Sequence, residues 1–181
     1  AEKNSQLTTL ISSDAKKLKL LSRKYRVQST YAEEEFSQAL ASGDFEALYI
    51  ATPNSTHSQY IEQALEHGIH VLCEKPLTVD LDAAEKIEKT LKKTSAKLIV
   101  AYRLHFDPAN LKAISLAQSG KLGDLRYFSS TFSFQIKDPK NIRLKGEEGL
   151  GPLHDIGIYC INAARYLFKG EPTEVLAISE G

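Results

Sequence analysis

The sequence predicts an α/β protein: a parallel sheet wrapped by helices, with a differently built second unit after it. Three observations carry this reading. Short apolar runs alternate with amphipathic helical stretches from Leu7 to Gly120. Those runs are nearly continuous, as strands are when helices cover both faces of a parallel sheet. After Gly123 the pattern changes to strict alternation, the period of a strand with one buried face.

Each element has a local reason. Leu7 to Ile11 reads as a buried strand, and Ser12-Ser13-Asp14 supplies N-cap chemistry for a Lys-rich helix with Leu18 and Leu21 on one face. A second helix covers about Glu33 to Ala41 and stops at Gly43. Strands follow at Ala47 to Ala51, Ile69 to Cys73 and Lys97 to Ala101. The helices between them are marked by Ile61, Ala64 and Leu65, and by Leu81, Ala84, Ile87 and Leu91. Asp107-Pro108 caps a further helix that closes at Gly120. Phe128, Phe132, Phe134 and Ile136 then alternate with polar neighbours as a strand. A Lys- and Gly-rich loop leads to a helix over Leu153 to Phe168 and a last strand at Val175 to Ser179.

Composition limits the class of protein. The 181 residues carry 23 basic and 23 acidic side chains, so no net charge draws the chain to nucleic acid or an anionic membrane. No apolar run approaches the ~20 residues that span a bilayer. Cys73 and Cys160 lack metal or redox spacing and read as reduced thiols of a cytoplasmic protein; no metal site is expected. Methionine is absent even at position 1, which is expected of a stretch taken from a longer polypeptide.

Ligands of open parallel sheets bind at the carboxyl ends of the strands. Three polar clusters fall there: Thr52-Pro53-Asn54-Ser55-Thr56-His57, Glu74-Lys75-Pro76, and Tyr102-Arg103-Leu104-His105. Each alone is also consistent with a capped, solvated loop. Lys75 precedes proline, which constrains its backbone, and a partly desolvated amine there suits proton handling; a surface lysine is the plainer alternative. On a helix, Asp155 and Tyr159 are four residues apart and share a face. An acid and a phenol so placed form a proton-transfer pair, or else a first-turn acid and a packing tyrosine.

Together these clusters resemble the glucose–fructose oxidoreductase, inositol dehydrogenase and rhizopine-catabolism (Gfo/Idh/MocA) family. The resemblance runs over nearly the whole chain, in the order Thr-Pro-Asn-x-x-His, Glu-Lys-Pro, Tyr-Arg-x-His and Gly-Pro-Leu-x-Asp-x-Gly-x-Tyr. Tyr159 and the run after Asp155 look closest to the glucose–fructose oxidoreductase branch.

The resemblance implies a Rossmann-type doubly wound parallel sheet over residues 1–123. The start of an α+β domain with a large open, mainly antiparallel sheet would follow over residues 124–181. It implies hydride transfer between a nicotinamide cofactor and a sugar, polyol or related carbohydrate. Lys75 matches the catalytic lysine, commonly followed by a cis proline; Asp155 matches the substrate-orienting carboxylate and Tyr159 the acid/base. Thr52, Pro53, Asn54, His57, Glu74, Lys75 and Arg103 match positions that line the cofactor, and Tyr31 matches one near the adenine.

Ser12-Ser13 occupies the turn where an acid would bind the ribose 2′-hydroxyl, with Lys17 nearby, so NADP is favoured, NAD being possible if Asp14 is that acid. A homo-oligomer is implied by the family's open sheet. The family's Gly-rich pyrophosphate loop does not occur before Leu7, so the first strand and that loop are expected upstream. This stretch alone is then expected to be inactive. The rival reading is a non-catalytic protein that senses a nucleotide or sugar on the same fold.

Overall fold

The computed structural model describes residues 4–144 and 151–178. The chain divides into two compact units, Ala1–Ala101 and Tyr102–Gly181.

In the first unit the order is β1 (Thr9–Ile11), α1 (Ala15–Tyr25), β2 (Ser29–Tyr31), α2 (Phe36–Ala41), β3 (Ala47–Ile50), α3 (His57–Glu66), β4 (His70–Cys73), α4 (Leu81–Leu91) and β5 (Leu98–Val100). All pairings are parallel, as the alternation of strand and helix requires. They form two sheets rather than one: β1 pairs with β2, and β4 lies between β3 and β5. The helix over Glu33 to Ala41 is a 3-10 turn, Glu33–Glu35, leading into α2. The sequence pattern contains no sign of β2. Ser-Thr-Tyr has no apolar run, and the strand exists through its pairing with β1, Thr9 opposite Ser29 and Ile11 opposite Tyr31.

Caps set the helix ends. The Asp14 carboxylate accepts from the backbone N–H of Lys16 and Lys17 at 3.0 and 2.9 Å and starts α1. Asp80 does the same for α4 through Ala83 N–H at 2.8 Å. Past the end of α3, Gly68 takes φ +72°, a conformation that costs a Cβ-bearing residue energy.

The core lies on one side of the larger sheet. Tyr60, Ile61, Ala64 and Leu65 make one stripe of α3, packed on Ile50, Val71 and Cys73 of the strands and on Ile87 of α4. The opposite face is different. Tyr49, Leu72 and Ile99 form a single rung across β3, β4 and β5 and are 56%, 40% and 55% exposed. The expectation that helices cover both faces therefore holds for one face among the described residues.

In the second unit, α5 (Pro108–Gln118) packs against α6 (Ile158–Phe168), and the Gln118 amide donates to the Tyr166 carbonyl at 3.1 Å. Asp107 caps α5 through Asn110 N–H at 3.0 Å, with Pro108 in the first turn, as its sequence indicates. Two expectations are corrected. The alternating stretch from Tyr127 to Ile136 and the segment from Val175 onward are not strands among the described residues, and no antiparallel ladder forms there. The reason is physical: alternation fits a strand but a ladder needs a partner edge, and these segments have none among the described residues. Ser179, the expected end of the last strand, lies outside the described residues. The helix expected over Leu153 to Phe168 is also not uniform: Leu153–Gly157 is a π-helical turn, and α-helix begins at Ile158. Among the described residues, no helix is long and apolar enough to cross a membrane.

Ile61, fully buried in α3, tests this core. Ile61→Ala should lower stability by about 2–5 kcal/mol in urea unfolding.

Candidate active site

Because β3 and β4 are paired and parallel, the loops after Ile50 and after Cys73 emerge side by side at one sheet edge. His57, the first residue of α3 and fully buried, joins them. Its Nδ1 lies 2.9 Å from the Pro76 carbonyl oxygen and its Nε2 lies 3.1 Å from the Thr52 carbonyl oxygen. Whichever neutral tautomer the ring takes, one N–H donates to one of these carbonyls. The ring sits between the two loops, with one nitrogen facing a carbonyl of each. Beside it, the Thr56 hydroxyl donates to the Pro53 carbonyl at 2.8 Å, and the Asn54–Thr56 segment is a 3-10 turn.

The Glu-Lys-Pro loop is built around Glu74. Its backbone N–H donates to the Ile50 carbonyl at 2.9 Å, and its carboxylate accepts from the Tyr49 hydroxyl at 2.5 Å. That bond, then burial, then the Glu74 charge push the Tyr49 phenol up to about 12. Burial, with Glu74 second, pushes the Cys73 thiol up to about 12, so this cysteine is an inert core residue. Lys75 is half-buried beyond Glu74, and the Lys75–Pro76 peptide is cis. Tyr49 was invisible as a site residue from sequence. It reads as one more apolar strand position, and only the β3–β4 register brings its hydroxyl to the next strand's end.

A cavity of about 330 Å³ separates β1 and α1 from β3. It gathers Ser12, Lys17, Thr52 and Pro53 from the expected cofactor set, together with Glu33 and Tyr60. Tyr60 donates to the Glu33 carboxylate, and burial with that bond second pushes its phenol up to about 12. Sequence reading missed both residues, for Tyr60 carries no more signal than any aromatic on a helix stripe. Tyr31 is not in the lining; its hydroxyl donates to Asp44 at 3.2 Å. Asp14, the alternative ribose acid, is used as the α1 cap.

The second unit holds Arg103, Asp155 and Tyr159. Arg103 is exposed, in a 3-10 turn, Arg103–Phe106. Tyr102 is 5% exposed and stacks on the Tyr159 ring, with centroids 5.1 Å apart and planes at 28°. Phe132 packs on the same tyrosine at 5.4 Å. His105 meets Tyr102 edge-on at 4.8 Å and lies 3.0 Å from the Tyr166 hydroxyl. Burial raises the Tyr102 phenol above its ordinary value, with the Asn162 hydrogen bond opposing. Asp155 lies in the π-helical turn, not in the α-helix that a four-residue spacing to Tyr159 assumed. Its side chain is 13% exposed and accepts from Arg143 Nε at 2.8 Å. Among the described residues no group of three or more His, Cys, Asp or Glu side chains could hold a metal ion.

Parallel βαβ units with polar groups collected at the strand ends define a nucleotide-binding Rossmann-type domain. Residues 1–102 match the family model described as an oxidoreductase family with NAD-binding Rossmann fold, and residues 110–180 match the Gfo/Idh/MocA C-terminal domain. The chain belongs to the Gfo/Idh/MocA family.

Relatives agree. D-xylose 1-dehydrogenase [NADP(+)] of Haloarcula marismortui is 34% identical over 94% of this chain and 49% of its own length. The crystal structure of aldose-aldose oxidoreductase from Caulobacter crescentus, complexed with glycerol, superposes with a TM-score of 0.85 at 38% identity, covering 94% of this chain and 52% of that one. A 3-ketoreductase from Actinomadura kijaniata, in complex with NADP and TDP-benzene, gives a TM-score of 0.83 at 28% identity over 93% and 51% of the two chains. The chain thus spans about half the length of the relatives it matches.

Two outcomes test the first-unit geometry. In the full-length protein, His57→Leu should weaken cofactor affinity about 10-fold or more, measured by nicotinamide fluorescence, because it unties two loops and leaves carbonyls unpaired. The second concerns alkaline stability. The neutral Tyr49 phenol is favoured in the fold, so its contribution is complete below its ordinary value of 10.0 and is lost as pH rises through about 12. Tyr49→Phe should flatten the fall in stability over that window in urea unfolding at stepped pH, with Tyr60 and Cys73 retaining part of it.

Proposed function

We propose that this chain is part of an NADP-dependent oxidoreductase that moves a hydride between the nicotinamide and a sugar, polyol or related carbohydrate. The observation that carries the cofactor choice is the cavity beside β1. Ser12, Ser13 and Lys17 line it, Asp14 is held as a helix cap, and the carboxylate in the lining, Glu33, is bonded by Tyr60. Hydroxyls and an ammonium suit a 2′-phosphate; a carboxylate at the turn would repel it. The NADP named for the Haloarcula marismortui relative and bound in the Actinomadura kijaniata structure supports the same choice.

The remaining assignments follow the same reading. Thr52, Pro53, Asn54, His57, Glu74 and Arg103 serve the cofactor, His57 by tying the Thr52 and Pro76 loops rather than by touching a ligand. Tyr31 serves the adenine through its ring, its hydroxyl being engaged with Asp44. The nicotinamide, when bound, accepts or supplies the hydride. Tyr159 carries the proton of the reacting hydroxyl, and stacking on Tyr102 holds its ring for that task. The Lys75 ammonium favours the ionised state of the oxygen that loses its proton. Asp155 orients the sugar hydroxyls. We assign nucleotide binding to residues 1–123 and substrate binding with oligomer contacts to 124–181, following the change of pattern after Gly123. The free thiols Cys73 and Cys160 support a cytoplasmic location.

The test uses the full-length protein with a panel of aldoses, inositols and other polyols, followed by nicotinamide absorbance. NADP should bind more tightly than NAD, and Lys17→Ala should narrow the difference. Tyr159→Phe and Lys75→Met should each lower kcat by about 10²–10⁴-fold with an unchanged circular dichroism spectrum. Tight NADP binding without turnover of any carbohydrate would favour the sensor instead.

A further inference from the structure

We infer that Asn162 is a positioning residue for Tyr159, acting through the Tyr102 ring on which Tyr159 stacks; this rests on the function proposed above. Three residues of α6 meet one short turn. Tyr159, Asn162 and Tyr166 are spaced i, i+3 and i+7, which places them on one face of that helix. The turn starts at Tyr102, and the His105 N–H closes it by donating to the Tyr102 carbonyl at 3.1 Å. A 3-10 turn brings residues three apart to one side, so Tyr102 and His105 face α6 together. The contacts follow in order along the helix. Tyr159 stacks on the Tyr102 ring at 5.1 Å, Asn162 hydrogen-bonds the Tyr102 hydroxyl, and the Tyr166 hydroxyl lies 3.0 Å from His105 Nδ1.

Neighbours fix the direction of the middle bond. Arg165 Nη1 donates to the Asn162 side-chain oxygen at 3.3 Å, which leaves the amide nitrogen to donate to the Tyr102 oxygen. Burial raises the Tyr102 phenol and the Asn162 bond opposes it, as a donor to the phenol oxygen does. Arg165 is itself anchored on Glu171. Its Nε lies 3.0 and 2.8 Å from the two carboxylate oxygens, and its Nη2 lies 2.5 Å from Oε1. The buried Tyr102 ring is thus met from three directions: Tyr159 on its face, His105 at 4.8 Å, and Asn162 at its hydroxyl. Stacked rings tolerate lateral offset, whereas a hydrogen bond is directional, so Asn162 sets where the Tyr102 ring lies against Tyr159.

The experiment uses the full-length enzyme with its best carbohydrate. Asn162→Leu should lower kcat about 10-fold while sugar KM and cofactor affinity stay within about twofold, the split expected when the reacting geometry is disturbed. Tyr102→Phe keeps the stack and loses the bond, so it should lower kcat by the same factor, and it carries the test if the leucine variant does not fold. The double variant should be no worse than either single one. Asn162→Asp should restore most of kcat, because a carboxylate there accepts from the Tyr102 O–H and from Arg165. In a Tyr159→Phe background, Asn162→Leu should leave the residual rate unchanged. Unchanged kcat in Tyr102→Phe, additive effects, no rescue by aspartate, or a rise in KM in place of the fall in kcat would overturn the inference and leave the proposed function standing. A Tyr159→Phe enzyme with unchanged kcat would overturn the acid/base role of Tyr159, and this inference with it.

Discussion

A single buried imidazole governs the geometry of the first unit's functional edge. His57 is fully covered, and a covered polar ring must find hydrogen-bond partners. Its two nitrogens face the carbonyls of Pro76 and Thr52 at 2.9 and 3.1 Å, on loops that follow different strands, and an N–H on either nitrogen donates to the carbonyl it faces. The parallel pairing of β3 and β4 brings these loops within reach, and the start of α3 at His57 holds the ring between them. Sheet pairing, helix start and loop conformation are therefore mutually dependent. Removing any one leaves buried polar groups without partners.

From this edge the same logic extends outward. Glu74 is held from the neighbouring strand by Tyr49, and the cis peptide after Lys75 carries the chain to the carbonyl that His57 bonds. In the second unit, the Tyr159 ring is packed among other rings. Tyr102 is buried beneath Tyr159, and His105 and Phe132 complete the packing. Stacked rings have little freedom to turn, so this packing restricts the orientation of the Tyr159 ring. Asp155 is held differently, by a charged partner from a separate turn.

Much of the fold is legible in the sequence alone. The five-residue apolar runs of β3, β4 and β5, the stripe Ile61-Ala64-Leu65, and the capping acids Asp14 and Asp107 are local signals with local causes, and they place elements within a residue or two. Elements that exist only through a partner depart from their sequence pattern in both directions. Ser29–Tyr31 has no strand pattern yet pairs with β1, while Phe128 to Ile136 has the pattern and lacks a partner edge among the described residues. The candidate site divides in the same way. Thr52, His57, Glu74, Lys75, Asp155 and Tyr159 could be singled out by type, order and spacing. Tyr49, Glu33, Tyr60 and Arg143 could not, because each acts through a neighbour distant in sequence.

By itself, the sequence determined the parallel α/β class, the capped starts of α1 and α5, the family and the residue types available for proton and anion chemistry. These follow from periodicity, capping and ordered motifs, all of which are written within a few residues of one another. The tertiary structure decided that β1 and β3 stand apart around a cavity, that the His57 ring sits between two loops, and that Asp155 lies in a π-helical turn beside Arg143. Each of those depends on which groups burial leaves in need of a partner and which groups the fold then brings within about 3 Å of them.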